Sequence, residues 1–296
     1  LSHLAASEQD QLGAHREGEL ADAMTALGIK DFRFLGSPHA LFRDSGMMDT
    51  EPNKRPDCFW RADIDEATKY LVEVIDEIKP HVLITYDEIG GYGHPDHIQA
   101  HRVAMAAADR ADWNIPKIYW NVIPKSVIEA GIEKMKALGS DFFGAESADD
   151  LPFAKDDSFV HACIDGGDFV NKKMDAMRAH GTQIAVDGPF FSLSNNLGLE
   201  IWGNEYYTLV QGEKAGELDA HTVREGCHAV AGHNTHPRIA RNRHIRCGIA
   251  ARCDQHGRCQ KKFFHNRSTV QITGLVQPGS SGLDRGRPIL LAAHFN

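Results

Sequence analysis

The sequence predicts an α/β fold built on a doubly wound, mostly parallel sheet. Two observations carry that expectation. Short apolar runs alternate with segments of helical period along residues 1–213, the pattern left by strands whose crossover helices pack back onto a sheet. One run, Val82-Leu83-Ile84-Thr85-Tyr86, is soon followed by Gly90-Gly91-Tyr92-Gly93-His94-Pro95-Asp96-His97, a chemically dense turn at a strand end, where open α/β sheets place their sites.

The elements follow in order. Residues 7–27 carry Leu12, Leu20, Met24 and Leu27 near helical spacing, and Gly28 is a stop signal. Residues 32–35 read as a short strand, and residues 41–61 have the Pro/Asp/Gly texture of a long loop, a type that is often functional. Asp63 is placed to cap a helix over residues 64–78, with Ala67, Leu71, Val74, Ile75 and Ile78 as its apolar stripe. After the strand at 82–86, Pro95 suits the first turn of a helix that continues over 97–108. Residues 117–122 form the next strand candidate, 127–138 and 169–180 the next helices, 158–164 an edge strand, and 206–210 the last strand.

Composition divides the chain in two. Its 296 residues are 42% hydrophobic with a net charge of -9, ordinary for a globular protein. From Lys214 onward, however, lie 13 of the 32 Lys+Arg but 5 of the 41 Asp+Glu, so residues 214–296 are net +8. That stretch also holds Cys227, Cys247, Cys253 and Cys259 and no Trp or Tyr. The expected division is an α/β domain over 1–213 and a basic Cys/His-rich tail over 214–296, disordered or translated out of frame. A metal- or nucleic-acid-binding appendage is the rival reading, although the Cys spacing does not match C-x-x-C knuckles. Residue 1 is Leu, and residues 2–29 already read as mid-domain, so an N-terminally truncated domain is expected. No run approaches a membrane span, no signal segment opens the chain, and a cytoplasmic setting is the default.

His94 and His97 share one helical face, and neutral imidazole is a common ligand for zinc or ferrous iron. A lone H-x-x-H is weakly specific, with capping as the alternative; the preceding buried strand, three glycines and Tyr92 strengthen the metal reading. His101 extends the same face and could also ligate, or hydrogen-bond. Asp96 could orient an imidazole from behind or stabilise the helix N-terminus. Tyr92 and His94 could donate hydrogen bonds to an oxyanion, and Tyr92 could equally plug the strand ends. Arg43-Asp44-Ser45-Gly46 could hold a polyol or form a solvated turn.

These motifs, with His180-Gly181-Thr182-Gln183 and Leu193-Ser194-Asn195-Asn196-Leu197, resemble the PIG-L/LmbE-like metal-dependent deacetylases over roughly residues 2–213. The similarity is greatest to members acting in mycothiol biosynthesis. The resemblance implies a Rossmann-like fold and hydrolysis of the acetamide of N-acetylglucosaminyl-inositol by metal-activated water, giving acetate and a free amine. By it, His97 is the metal ligand, with zinc expected and Fe(II) the alternative. His94 stabilises the tetrahedral intermediate and protonates the amine, Tyr92 polarises the carbonyl, Asp96 tunes the histidines, and Asp44 and Gln183 bind substrate. The expected partner is a small glycoside, not a membrane or nucleic acid.

The family's His-Pro-Asp-Asp motif, which supplies two further ligands and the general base, does not occur in the 296 residues. The resemblance therefore predicts a sheet lacking its first strand and half of a catalytic site. The competing functions are mycothiol S-conjugate amidase, disfavoured by Gly93 and the Arg43–Met47 loop, and an inactive fragment or basic-tailed binding protein.

Overall fold

The computed structural model describes residues 12–40, 42–137, 139, 142, 144–184 and 203–214, and the backbone of four short strands beyond residue 250. The 193–197 motif and most of the 214–296 tail lie outside the described residues.

Helix α1 (Leu12–Leu27) leads into strand β1 (Asp31–Phe34) through Gly28, whose φ of +74° ends the helix as the sequence predicts. Helix α2 (Ile64–Ile78) starts where expected, with the Asp63 carboxylate accepting a hydrogen bond from the Glu66 amide at 2.9 Å. Strand β2 (Val82–Thr85) then feeds helix α3 (Pro95–Arg110), with Pro95 in its first turn and His94 as its cap. Strand β3 (Lys117–Pro124), helix α4 (Lys125–Ala137), strand β4 (Ala154–Lys155), strand β5 (Ala162–Asp165), helix α5 (Val170–Ala179) and strand β6 (Asn204–Gln211) complete the series before residue 214. All but β4, which the sequence did not anticipate, lie within a few residues of their expected places.

Beyond residue 250 come β7 (Ala251–Cys253), β8 (Cys259–Lys261), β9 (Thr269–Ile272) and β10 (Ile289–Ala292). The main sheet runs β1-β10-β9-β2-β3-β6-β5, with β4 beside β3, while β7 and β8 form a separate antiparallel pair. From β1 to β3 every pairing is parallel; β6 is antiparallel to both β3 and β5. The sheet is thus mixed, with a parallel centre. The composition of 214–296 does not anticipate β9 and β10, which stand between β1 and β2.

Successive strand residues face opposite sides of a sheet, and β1 shows what each side holds. Phe32 packs with α1 and α5, whereas Arg33 reaches Glu77 in the last turn of α2 at 2.7 Å. At β1, therefore, α1 and α5 cover one face and α2 the other, while α4 packs against the strands at the far side of the sheet, β3, β4 and β6. The larger core joins α2 and α3 to the sheet through Leu71, Ile75, Leu83, Val103, Ala104 and Ile118. No helix among the described residues is long and apolar enough to cross a membrane.

Candidate active site

Two segments meet beyond the C-terminal ends of β1 and β2. The first is the loop after β1, which returns on itself as the Arg43 amide donates to the Asp57 carbonyl at 3.0 Å and the Phe59 amide to the Arg43 carbonyl at 2.8 Å. Phe59, wholly buried, anchors this closure against Phe42. The second is the glycine turn after β2. Asp87, almost fully buried, accepts from the Gly91 amide at 2.7 Å and pairs with Lys155 of β4 at 3.1 Å. Gly90, Gly91 and Gly93 all take positive φ, which brings the chain round within four residues to the start of α3.

The two histidines of the turn are held in opposite tautomers. His97 Nδ1 lies 3.1 Å from the Gly90 carbonyl oxygen, which can only accept, so Nδ1 carries the proton and Nε2 the lone pair. The reverse holds at His94, where Nδ1 accepts from the Asp96 amide at 3.2 Å and Nε2 carries the proton. His97 is buried, its ring stacked on Tyr86 at 4.0 Å and met edge-on by Tyr92 at 5.1 Å. Burial, helped by the neighbouring His94, pushes its pKa down to about 3. Burial also lowers that of His94, against the pull of Asp44. Both are neutral imidazoles near pH 7.

Tyr92 is half exposed at the mouth, and burial of its hydroxyl, with the charges of Asp44 and Asp96 nearby, raises its pKa and keeps it a donor. Asp96 is fully buried; it accepts from the Ser45 amide at 2.9 Å and from the Ser45 hydroxyl. Burial pushes its pKa up to about 7, although the Ser45 donors oppose the shift. Its nearer carboxylate oxygen is 4.0 Å from His94 Nδ1, too far for a hydrogen bond. The Asp96 side chain is held by the loop, while its backbone amide meets the His94 ring.

Asp44 accepts from the Gly46 amide at 2.6 Å and pairs with Arg16 of α1 at 3.3 Å. Sequence reasoning missed Arg16, which has no local signal because its partner lies 28 residues away. Gln183 lies by Glu19, one turn along α1 from Arg16, its amide nitrogen 3.4 Å from Glu19 and 3.2 Å from His180 Nδ1. Glu19 also accepts from the Thr182 amide at 2.6 Å and the Thr182 hydroxyl at 2.8 Å, so the 180–183 turn docks on the helix that carries Arg16. His101 donates Nδ1–H to the Tyr86 carbonyl at 2.9 Å, which makes it a brace between α3 and the end of β2.

Donor chemistry tests the fit to a metal. Asp44, His94 and Asp96 converge, with one ligand atom from each within 4.8 Å of the others. Yet both Asp96 oxygens take protons from Ser45, Asp44 is engaged by Gly46 and Arg16, and His94 Nδ1 caps α3. This trio is a hydrogen-bonded cluster. His97, neutral and with its lone pair on Nε2, suits a metal bond, and its Nδ1–H to a carbonyl is the brace usual for such ligands.

A family model described as PIG-L: GlcNAc-PI de-N-acetylase matches residues 2–108. A 1D-myo-inositol 2-acetamido-2-deoxy-alpha-D-glucopyranoside deacetylase of Geodermatophilus obscurus is 54% identical over 227 residues, 72% of this chain and 77% of the relative. The chain belongs to the PIG-L family. Deacetylases named for the same substrate from Catenulispora acidiphila and Streptomyces avermitilis are 50% and 48% identical, across 73% and 72% of this chain and 71% and 77% of their own lengths. PIG-L deacetylases are metal-dependent hydrolases, in keeping with the chemistry available at His97.

Proposed function

We propose that this chain serves the N-deacetylation of 1D-myo-inositol 2-acetamido-2-deoxy-glucopyranoside in mycothiol biosynthesis, with zinc as the metal. The observation that carries the reading is the pair of opposed tautomers three residues apart. It gives one histidine a lone pair for a metal and the other a proton for an oxyanion.

His97 would hold the metal, the bond its Nε2 supplies. When bound, that ion acts as a Lewis acid and activates water. The remaining steps belong to side chains. Asp44, backed by Arg16, accepts hydroxyls of the sugar or inositol. Gln183, at the far end of the same helix face, borders the polyol. His94 Nε2–H and the Tyr92 hydroxyl donate to the carbonyl oxygen as charge builds on it, where fixed donors are worth most. The water oxygen bonds to the carbonyl carbon, the carbon–nitrogen bond breaks, and the proton that the water gives up passes to the leaving nitrogen, giving acetate and the free amine, while His94 Nε2–H stays hydrogen-bonded to the developing oxyanion. Asp96 keeps the loop and the helix in register.

The test is acetate release from N-acetylglucosaminyl-inositol by the zinc-loaded chain, beside calorimetric titration of the amine product. Turnover with binding supports the reading. Binding without turnover would limit the chain to the polyol and oxyanion wall, and absence of both overturns it. Preference for a mycothiol S-conjugate in the same assay would transfer the assignment to the amidase.

A further inference from the structure

Ser45 makes more hydrogen bonds than its loop position requires. It is fully buried, and so is Asp96, 51 residues away. The Ser45 amide donates to one Asp96 oxygen at 2.9 Å while its hydroxyl donates to the other. The hydroxyl also accepts from the Trp60 amide at 2.8 Å, and the Ser45 carbonyl accepts from the buried Asn53 side chain. One residue thus ties together both arms of the loop after β1 and the first turn of α3.

We propose that Ser45 is a positioning residue whose buried clamp on Asp96 sets Asp44, its chain neighbour, at a fixed place opposite His94 and His97. The two groups of Asp96 divide the work, the backbone amide holding the His94 ring and the carboxylate holding Ser45. His94 Nδ1 already accepts from the Asp96 amide at 3.2 Å, so it has no proton to give the carboxylate, and the 4.0 Å gap between them agrees. Each oxygen of Asp96 accepts one hydrogen bond from Ser45. The loop otherwise reaches α3 by softer means, such as the Gln99 side chain on the Ala62 carbonyl at 3.1 Å and Arg102 over the Trp60 ring at 4.8 Å. A misplacement of about 1 Å at a binding group is enough to lower rate or affinity roughly a hundredfold, so a stiff tie here has a functional consequence.

The part concerning Asp44 rests on the proposed polyol-binding role, and the experiment keeps the two apart. Hydrogen exchange of the whole chain, without ligand, is measured for Ser45→Ala and Asn53→Ala. The clamp predicts at least tenfold faster exchange at residues 43–61 in Ser45→Ala and a smaller rise in Asn53→Ala, with the 64–78 and 97–110 helices unchanged. Asn53→Ala supplies the answer if Ser45→Ala does not fold. Unchanged exchange at 43–61 overturns the clamp.

Calorimetry with glucosaminyl-inositol then tests the positioning. Ser45→Ala is expected to weaken binding about tenfold, and to do nothing further in an Asp44→Ala background, since it acts through Asp44. Additive losses in the double variant would overturn positioning and leave Ser45 a structural residue. If the unaltered chain does not bind the amine, the polyol assignment fails, while the exchange result still decides the clamp.

Discussion

Gly90 has a φ of +65°, and a Cβ there would meet the Ile98 amide nitrogen at 2.7 Å and the His97 Cβ at 2.8 Å. Gly93, at +88°, has nothing within 4 Å. Alanine at Gly93 therefore carries only the left-handed backbone cost, about 1 kcal/mol. Alanine at Gly90 adds overpacking against the first turn of α3, for about 2–4 kcal/mol in all. Urea unfolding of the two variants checks this, and equal losses would contradict the close approach. The residue types at the site were legible because imidazole, phenol and carboxylate crowded behind a buried strand serve chemistry better than they serve packing. The tautomers were not, since they depend on where the Gly90 carbonyl and the Asp96 amide lie. Nor was the link from Asp96 to Ser45, which joins residues far apart in sequence.

Helices and strands were the most legible level, because periodicity and caps are local. Asp63 shows it: a short polar side chain before an apolar stripe becomes a cap on the Glu66 amide. Asp63→Ala is expected to cost about 1 kcal/mol, read as a lower urea midpoint at unchanged slope. Ties between elements were less legible, and Lys155 is the instructive case. It stands on β4, aligned with Pro124 at the end of β3, and its ammonium pairs with the buried Asp87 that holds the glycine turn. Lys155→Met should cost about 2 kcal/mol, because Asp87 stays buried without its counter-charge. Lys155→Met with Asp87→Asn should cost less than Lys155→Met alone, as the stranded charge is then gone. Denaturation of both variants gives the comparison, and a double variant less stable than the single one would sink the argument.

At the scale of the molecule, the alternation of apolar runs and amphipathic helices was enough to give the α/β class and the place of the site. It did not give the centre of the sheet. β9 and β10 are four residues each, no shorter than β1 and β2, but they follow a long basic stretch that reads as foreign to the domain and have no amphipathic helix pattern between them to mark them as sheet strands. Their register is nonetheless specific. β10 pairs along all four residues of β1, and β9 pairs with Val82, Leu83 and Ile84 of β2. Among the described strands β1 has no other neighbour, so its hold on the rest of the sheet runs through β10 and β9. A chain ending at residue 214 would break that bridge and leave β1 and α1 joined to β2 only through helix and loop contacts, with about 5–15 kcal/mol of net stability to draw on. The expected result is an early thermal transition in the 1–214 chain, followed by circular dichroism, with faster exchange at residues 12–35 while residues 64–110 remain protected. Identical melting of the two chains would instead mean that residues 215–296 contribute nothing to the fold, as a disordered or out-of-frame tail requires.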